Sequence, residues 1–323
     1  MPLAFLSQSI LHALVAAVLI EALLRVWKVE DGGWRLRIRL LALAAPALWL
    51  PVIWVAAPFR QGPAFAAHWA LFASERWNQF LLGGTPLGDL VLLLACGVGS
   101  ALFLRDALPP LTDAVRGSRR PLAAGPWHPT TASVRSVVAA RAASLGIPPL
   151  EVRLIDAPAP VLLCEGVAPP VLVMSPPAAE RLGPDELDAA LTHELAHARH
   201  HDPAWGYFLI AVRAVLFFNP AAQWIARAMV DDIERRADQT AAAASGNPEA
   251  LARAIERLFE AGHPPPVDSQ ASFERVFWRV RREGVARRCA RLRAAPRLLG
   301  MPMSRVLVAL AASSVLGLAF FIV

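Results

Sequence analysis

Apolar residues in this chain fall into long blocks near its two ends and into short periodic groups in the middle. Residues 3–24, 40–57, 87–104 and 306–323 are each about as long as a helix that crosses a bilayer. His12 and Glu21 interrupt the first block, and Pro46 and Pro51 predict a kink in the second. The first block has no basic start and no small-residue cleavage site, so it reads as an uncleaved span. Between the second and third blocks, residues 64–82 carry Phe65, Trp69, Phe72, Trp77 and Phe80. That spacing predicts an amphipathic helix lying in the membrane interface or, equally, a small external cap packed on the spans.

From about Thr130 the pattern changes. Residues 131–145 have helical spacing, closed by Gly146 and Pro148. Residues 151–155, 161–164 and 171–174 are short strand candidates set off by proline and glycine. A helix follows from Pro184, with Asp185 and Glu186 in its first turn and Leu187, Leu191, Leu195 and Ala198 as its apolar stripe. Residues 205–218 are very apolar but broken by Arg213, which predicts a helix buried against the domain or dipping into the interface. Asn219-Pro220 opens a further helix that Ser245-Gly246-Asn247-Pro248 closes, and residues 248–261 form another. Residues 273–292 carry Arg275, Arg279, Arg281, Arg282, Arg287, Arg288 and Arg291, a basic helix that is either solvated or rests on an anionic leaflet.

Composition makes the membrane reading firm. The chain has 323 residues, 56% hydrophobic and 18% charged, with mean hydropathy +0.44, too apolar for an ordinary soluble protein. The net charge of +6 comes from arginine, Lys28 being the lone lysine. The arginines flank apolar blocks or sit on central helices, which argues for setting topology and against nucleic-acid binding. Arg25, Lys28, Arg35, Arg37 and Arg39 follow the first block, and Arg105, Arg116, Arg119 and Arg120 follow the third. The positive-inside rule puts both stretches in the cytoplasm and both termini outside. The expected order is a three-span region over residues 1–108 and a Pro-, Gly- and Arg-rich linker over 109–129. A cytoplasmic domain over 130–300 and a fourth span over 301–323 follow. Cys96, Cys164 and Cys289 lie far apart, match no metal spacing and imply no disulfide framework.

The candidate chemistry is concentrated in His193-Glu194-Leu195-Ala196-His197, a match to H-E-x-x-H. On a helix, His193 and His197 share a face and can present two imidazoles to one metal ion. Glu194 stands beside them as candidate general base. Downstream, Glu234 and Asp238 are again four apart. Two histidines from one helix and Glu234 from a later one give zinc three ligands and leave a fourth position open. Asp238 is placed to accept a hydrogen bond from a ligating histidine, His193 by expectation, and so fix its tautomer. Val171, Leu172 and Val173, just before the metal helix, are expected to form an edge strand that holds substrate by strand addition. Tyr207, His200 and His201 are candidate oxyanion donors, and His201 with Asp202 is expected to make a structural contact.

In order and spacing these residues resemble the BlaR/MecR family of membrane-embedded zinc metallopeptidases. The likeness rests on the H-E-x-x-H segment, Asp202, Phe217-Phe218-Asn219-Pro220, and Glu234 with Asp238. Cys164-Glu165-Gly166-Val167-Ala168-Pro169-Pro170 also resembles the family's strand, glycine turn and proline segment. The chain departs from it in having Ala237 where cysteine is frequent. No penicillin-binding sensor domain of the kind that follows the fourth span in antibiotic-sensing members is expected, so beta-lactam sensing through one is not carried over. The resemblance implies an α-helical membrane protein with four transmembrane helices and an α+β zincin-like (gluzincin) cytoplasmic metallopeptidase domain. It implies a Zn2+-dependent endopeptidase of regulated proteolysis, with a transcriptional repressor as a candidate substrate. Two other readings stand beside it. One is an HtpX-type protease of membrane-protein quality control, which a transmembrane hairpin between the metal helices would favour and Arg213 disfavours. The other is a non-proteolytic zinc-bearing membrane scaffold or receptor, against which Glu194 argues.

Overall fold

A computed structural model describes residues 2–71, 78–116, 129–262, 272–294 and 305–323. Helix α1 (Pro2–Val26) leads to Asp31, whose carboxylate accepts a hydrogen bond from Trp34 N at 2.7 Å and opens α2 (Gly32–Ala44). A π-helical turn, Ala45–Trp49, joins α2 to α3 (Leu50–Ala56). The expected proline kink is thus a local widening of one continuous helix, which lets Pro46 and Pro51 go without their missing donors. The helix begins at Gly32, so Arg35, Arg37 and Arg39 are helical and not in a loop.

The amphipathic helix expected over residues 64–82 is not continuous. Helix α4 covers Pro63–His68, and strands β1 (Leu81–Leu82) and β2 (Thr85–Pro86) form a hairpin; residues 72–77 lie outside the described residues. Gly83 and Gly84 have φ of +60° and +83°, the left-handed backbone that a two-residue hairpin turn requires. Helix α5 (Leu87–Arg116) runs on into the expected linker, whose residues 117–128 lie outside the described residues.

Beyond it come α6 (Pro129–Leu145), β3 (Glu151–Leu154), β4 (Leu162–Glu165), β5 (Val171–Met174), α7 (Pro176–Glu180) and α8 (Pro184–Arg199). Then follow α9 (Asp202–Val215), α10 (Pro220–Ser245), α11 (Pro248–Gly262), α12 (Ser272–Arg293) and α13 (Arg305–Phe320). The chain packs as two units. One comprises Met1–Val115, Phe208–Ile233 and Leu299–Val323; the other comprises Arg116–Tyr207 and Glu234–Leu298.

In the first unit, Phe5–Val26, Gly32–Ala56 and Leu87–Asp106 are long and apolar enough to cross a membrane. The C-terminal helix α13 has 16 residues. At about 1.5 Å per residue it reaches roughly 24 Å, short of a full bilayer core. Among the charges buried in this unit, Arg39, Asp232 and Arg213 are paired with opposite charges. Asp232 is 2% exposed and sits between Arg35 (2.9 Å) and Arg39, which also reaches Glu21 at 2.7 Å. Arg213, the charge that interrupts apolar α9, donates to Asp106 and to Gln223, each at 2.9 Å.

In the second unit a three-stranded sheet has the order β3-β5-β4, with β3 parallel and β4 antiparallel to β5. This corrects the expectation for Val171, Leu172 and Val173. Their strand is central, both its edges are taken within the sheet, and it has no free backbone groups to offer a substrate. All four of its residues are buried. An unbroken apolar run is what a strand covered on both faces needs, whereas a half-covered strand alternates. Leu172 and Met174 pack with Val134, Val138 and Ala142 of α6 and with Leu191 and Leu195 of α8. The stripe foreseen on the metal helix therefore faces the sheet side of the core, leaving the histidines on another face.

Candidate metal centre

Helix α8 starts well. Pro184 occupies its first turn, and the Glu186 carboxylate accepts a hydrogen bond from Gly183 N at 3.0 Å. Three turns of helix then carry His193 and His197 to the same side. Their Nε2 atoms are 3.1 Å apart. Glu234, on α10, brings Oε2 to 3.6 Å from His193 Nε2 and Oε1 to 3.8 Å from His197 Nε2. All three ligand atoms lie within 4.8 Å of one another. His193 is 6% exposed, while the Glu234 side chain keeps 31% of its surface, so the cluster is walled on the histidine side and open beside the carboxylate.

The far nitrogens explain why the near ones converge. Asp202 Oδ2 lies 2.8 Å from His197 Nδ1, and Asp238 Oδ1 lies 3.2 Å from His193 Nδ1. The second contact is oblique, and His193 Nδ1 has no aligned hydrogen-bond partner. Carboxylates beside both Nδ1 atoms favour the proton there and leave a lone pair on each Nε2. Two imidazole nitrogens and a carboxylate oxygen within 4.8 Å of one another form a donor set that suits a metal ion such as zinc.

The ionisation of these groups follows the same field. Burial opposes a charged imidazole at His193, but Asp238 and Glu234 outweigh it and raise its pKa to about 10. Burial likewise opposes charge on His197, and Asp202 turns the balance upward. Glu234 is buried enough to resist ionisation, yet Arg288 and the two histidines hold it far below the usual carboxylate range. Glu194 goes the other way. Burial raises its pKa, against the pull of His197 and His193. Its Oε2 accepts a hydrogen bond from Cys164 N at 2.8 Å. In the β4–β5 register Cys164 lies opposite Leu172, and its amide points away from β5 toward Glu194. The outer edge of β4 therefore borders the acid.

The structure thus brings His193, His197, Glu234, Asp238 and Glu194 together, and leaves Val171, Leu172 and Val173 inside the sheet. Of the candidate oxyanion donors, Tyr207 is exposed, His200 Nε2 pairs with Thr240 Oγ1 at 2.9 Å, and His201 is exposed with φ +55°. Asp202 contacts His197 and Arg236 where a contact with His201 was expected. Two arginines were not foreseen. Arg236 donates to Asp202, and Arg288 donates to Asp238 through Nε (3.0 Å) and Nη2 (2.7 Å) and to Glu234 through Nη1 (2.8 Å). Asp202 had a usable signal, since it opens α9 only five residues after His197. Arg288 had none, being one arginine in a run of them.

Residues 151–250 match the family model described as BlaR1 peptidase M56. That stretch runs from β3 to the first turn of α11 and contains every ligand candidate. The chain is also 30% identical over 250 residues to a protein of Syntrophobacter fumaroxidans (strain DSM 10017 / MPOB) named "Protease HtpX homolog". The match spans 64% of this chain and 85% of that protein. This chain belongs to the M56 peptidases. No solved structure matches it. With its apolar N-terminal helices, this M56 peptidase is a membrane protein. Its family match ends before Arg288, so that arginine enters the site from outside the matched residues.

Proposed function

We propose that this M56 peptidase is a zinc metalloendopeptidase that cleaves protein substrates at the cytoplasmic face of a bacterial inner membrane. The single observation that carries the reading is the convergence of two imidazole Nε2 atoms and the Glu234 carboxylate, with half-buried Glu194 alongside. His193, His197 and Glu234 would hold the ion. When bound, zinc supplies Lewis acidity that polarises the scissile carbonyl and acidifies the attacking water. Asp202 and Asp238 keep the imidazoles in the ligating tautomer. Glu194 takes the proton from the water as its oxygen joins the carbonyl carbon, and returns it to the amine as the C–N bond breaks. Burial suits it to both halves, because its raised pKa makes the proton easier to accept. Substrate lies extended along the outer edge of β4, in the place first assigned to β5.

In this reading the second unit is a zincin-like (gluzincin) domain, α13 is the fourth transmembrane helix, and the physiological act is regulated cleavage of a protein such as a transcriptional repressor. The likeness to a protein named as an HtpX homolog favours a second reading, membrane-protein quality control. One experiment tests both. Protein N-termini are compared in cells expressing the wild type and Glu194→Gln, which keeps the ligands and removes the base. A few new N-termini seen only with the wild type support the regulator, and many from damaged membrane proteins support quality control. Identical N-termini under envelope stress would contradict peptidase activity altogether.

A further inference from the structure

Glu234 and Asp238 stand one turn apart on the same face of α10, where like charges repel. The guanidinium of Arg288 bridges them. It meets Asp238 through two nitrogens and Glu234 through the third, and its Nη2 also lies 3.4 Å from His193 Nε2. Its position is set by packing. Next to it Cys289 is buried, with Sγ 3.5 Å from Ala252 O on α11. One turn on, Leu292 packs against the buried cluster of Ala189, Ala241, Ala250 and Leu251. Arg293 then staples α12 to α11 through Glu249 (3.0 Å) and Glu256 (2.8 Å). Arg288 is therefore delivered to the site by an anchored helix.

The carboxylates Asp202, Asp238 and Glu234 are paired with Arg236 and Arg288. Each histidine also heads a similar chain, His197–Asp202–Arg236 and His193–Asp238–Arg288, but only Arg288 also touches a ligand carboxylate.

We propose that Arg288 is a positioning residue of the metal centre, holding Glu234 in ligating orientation and orienting His193 through Asp238. The inference rests on the zinc reading above. It calls for arginine specifically, because two guanidinium nitrogens grip Asp238 while the third reaches Glu234, a contact set that a single ammonium nitrogen cannot reproduce. The test uses full-length protein in detergent micelles. Zinc affinity is measured by competition with a chromophoric chelator, and ligand geometry by the visible spectrum of the Co2+-loaded protein. Arg288→Gln is expected to lose about 10- to 100-fold in zinc affinity, with an altered cobalt spectrum. Arg288→Lys keeps the charge and recovers only part. Wild-type affinity and spectrum in Arg288→Gln would overturn the proposal. If that variant fails to fold, wild-type affinity in Arg288→Lys would do the same. A wild type that binds no zinc would instead sink the underlying metal-site reading.

Discussion

Asp202 and Asp238 each stand beside the Nδ1 of one histidine, and both can be tested one atom at a time. Asp202→Asn keeps shape but presents an amide to His197 Nδ1, so the imidazole loses its anionic partner. Zinc affinity measured by chelator competition is expected to fall about 10- to 100-fold. An unchanged affinity would show that His197 is held by packing alone. Cys164 gives a second residue-scale outcome. Burial, then the nearby Glu194 charge, pushes its thiol up to about 12. The reactive form is the thiolate, so at pH 8 on the order of one molecule in 10,000 is competent. Alkylation of Cys164, followed by mass spectrometry, is expected to be slow at pH 8 and to accelerate as pH rises. The residues of the candidate metal cluster were legible in the sequence because a helix turns a spacing of four into a shared face. His193 with His197 and Glu234 with Asp238 follow from that one rule, and Glu194 from the H-E-x-x-H match. Arg236 and Arg288 reach the site through tertiary packing, which no local spacing encodes.

Elements were legible where a period or a cap marked them and obscure where neighbours decided. The opening of α8 at Pro184 and that of α10 at Pro220 follow from capping chemistry. The rank of β5 within its sheet does not, since pairing partners are chosen across the chain. Glu186 tests the α8 opening. It accepts from Gly183 N and meets Arg253 (3.2 Å) and Arg257 (2.8 Å) of α11, both about half exposed. Exposed ion pairs contribute little, so the cap dominates, and Glu186→Ala should cost about 1–2 kcal/mol in denaturant unfolding. A loss near zero would mean Gly183 finds another acceptor. Helix α5 is tested at Gly99, where an added Cβ would collide with the Phe218 carbonyl. Gly99→Ala is expected to destabilise by about 1–3 kcal/mol, read as a lower melting temperature.

At the scale of the whole molecule, charge patterning was read as topology, and part of it turns out to be packing. Arg35 and Arg39 lie far from Asp232 in sequence yet enclose it, with Glu21 completing the group. Removing one member of a buried cluster leaves the others unpaired. Asp232→Ala should therefore cost about 3–5 kcal/mol and reduce the amount of folded protein in membranes. Full accumulation of this variant would show that water reaches the arginines. What joins these scales is the claim that one zinc ion sits on His193, His197 and Glu234. Zinc K-edge X-ray absorption of the full-length protein tests it most directly. The account predicts two imidazole nitrogens and oxygen ligands at about 2.0–2.2 Å, lost in His193→Ala. A sulfur shell near 2.3 Å would place Cys164 on the metal, and the account would be wrong.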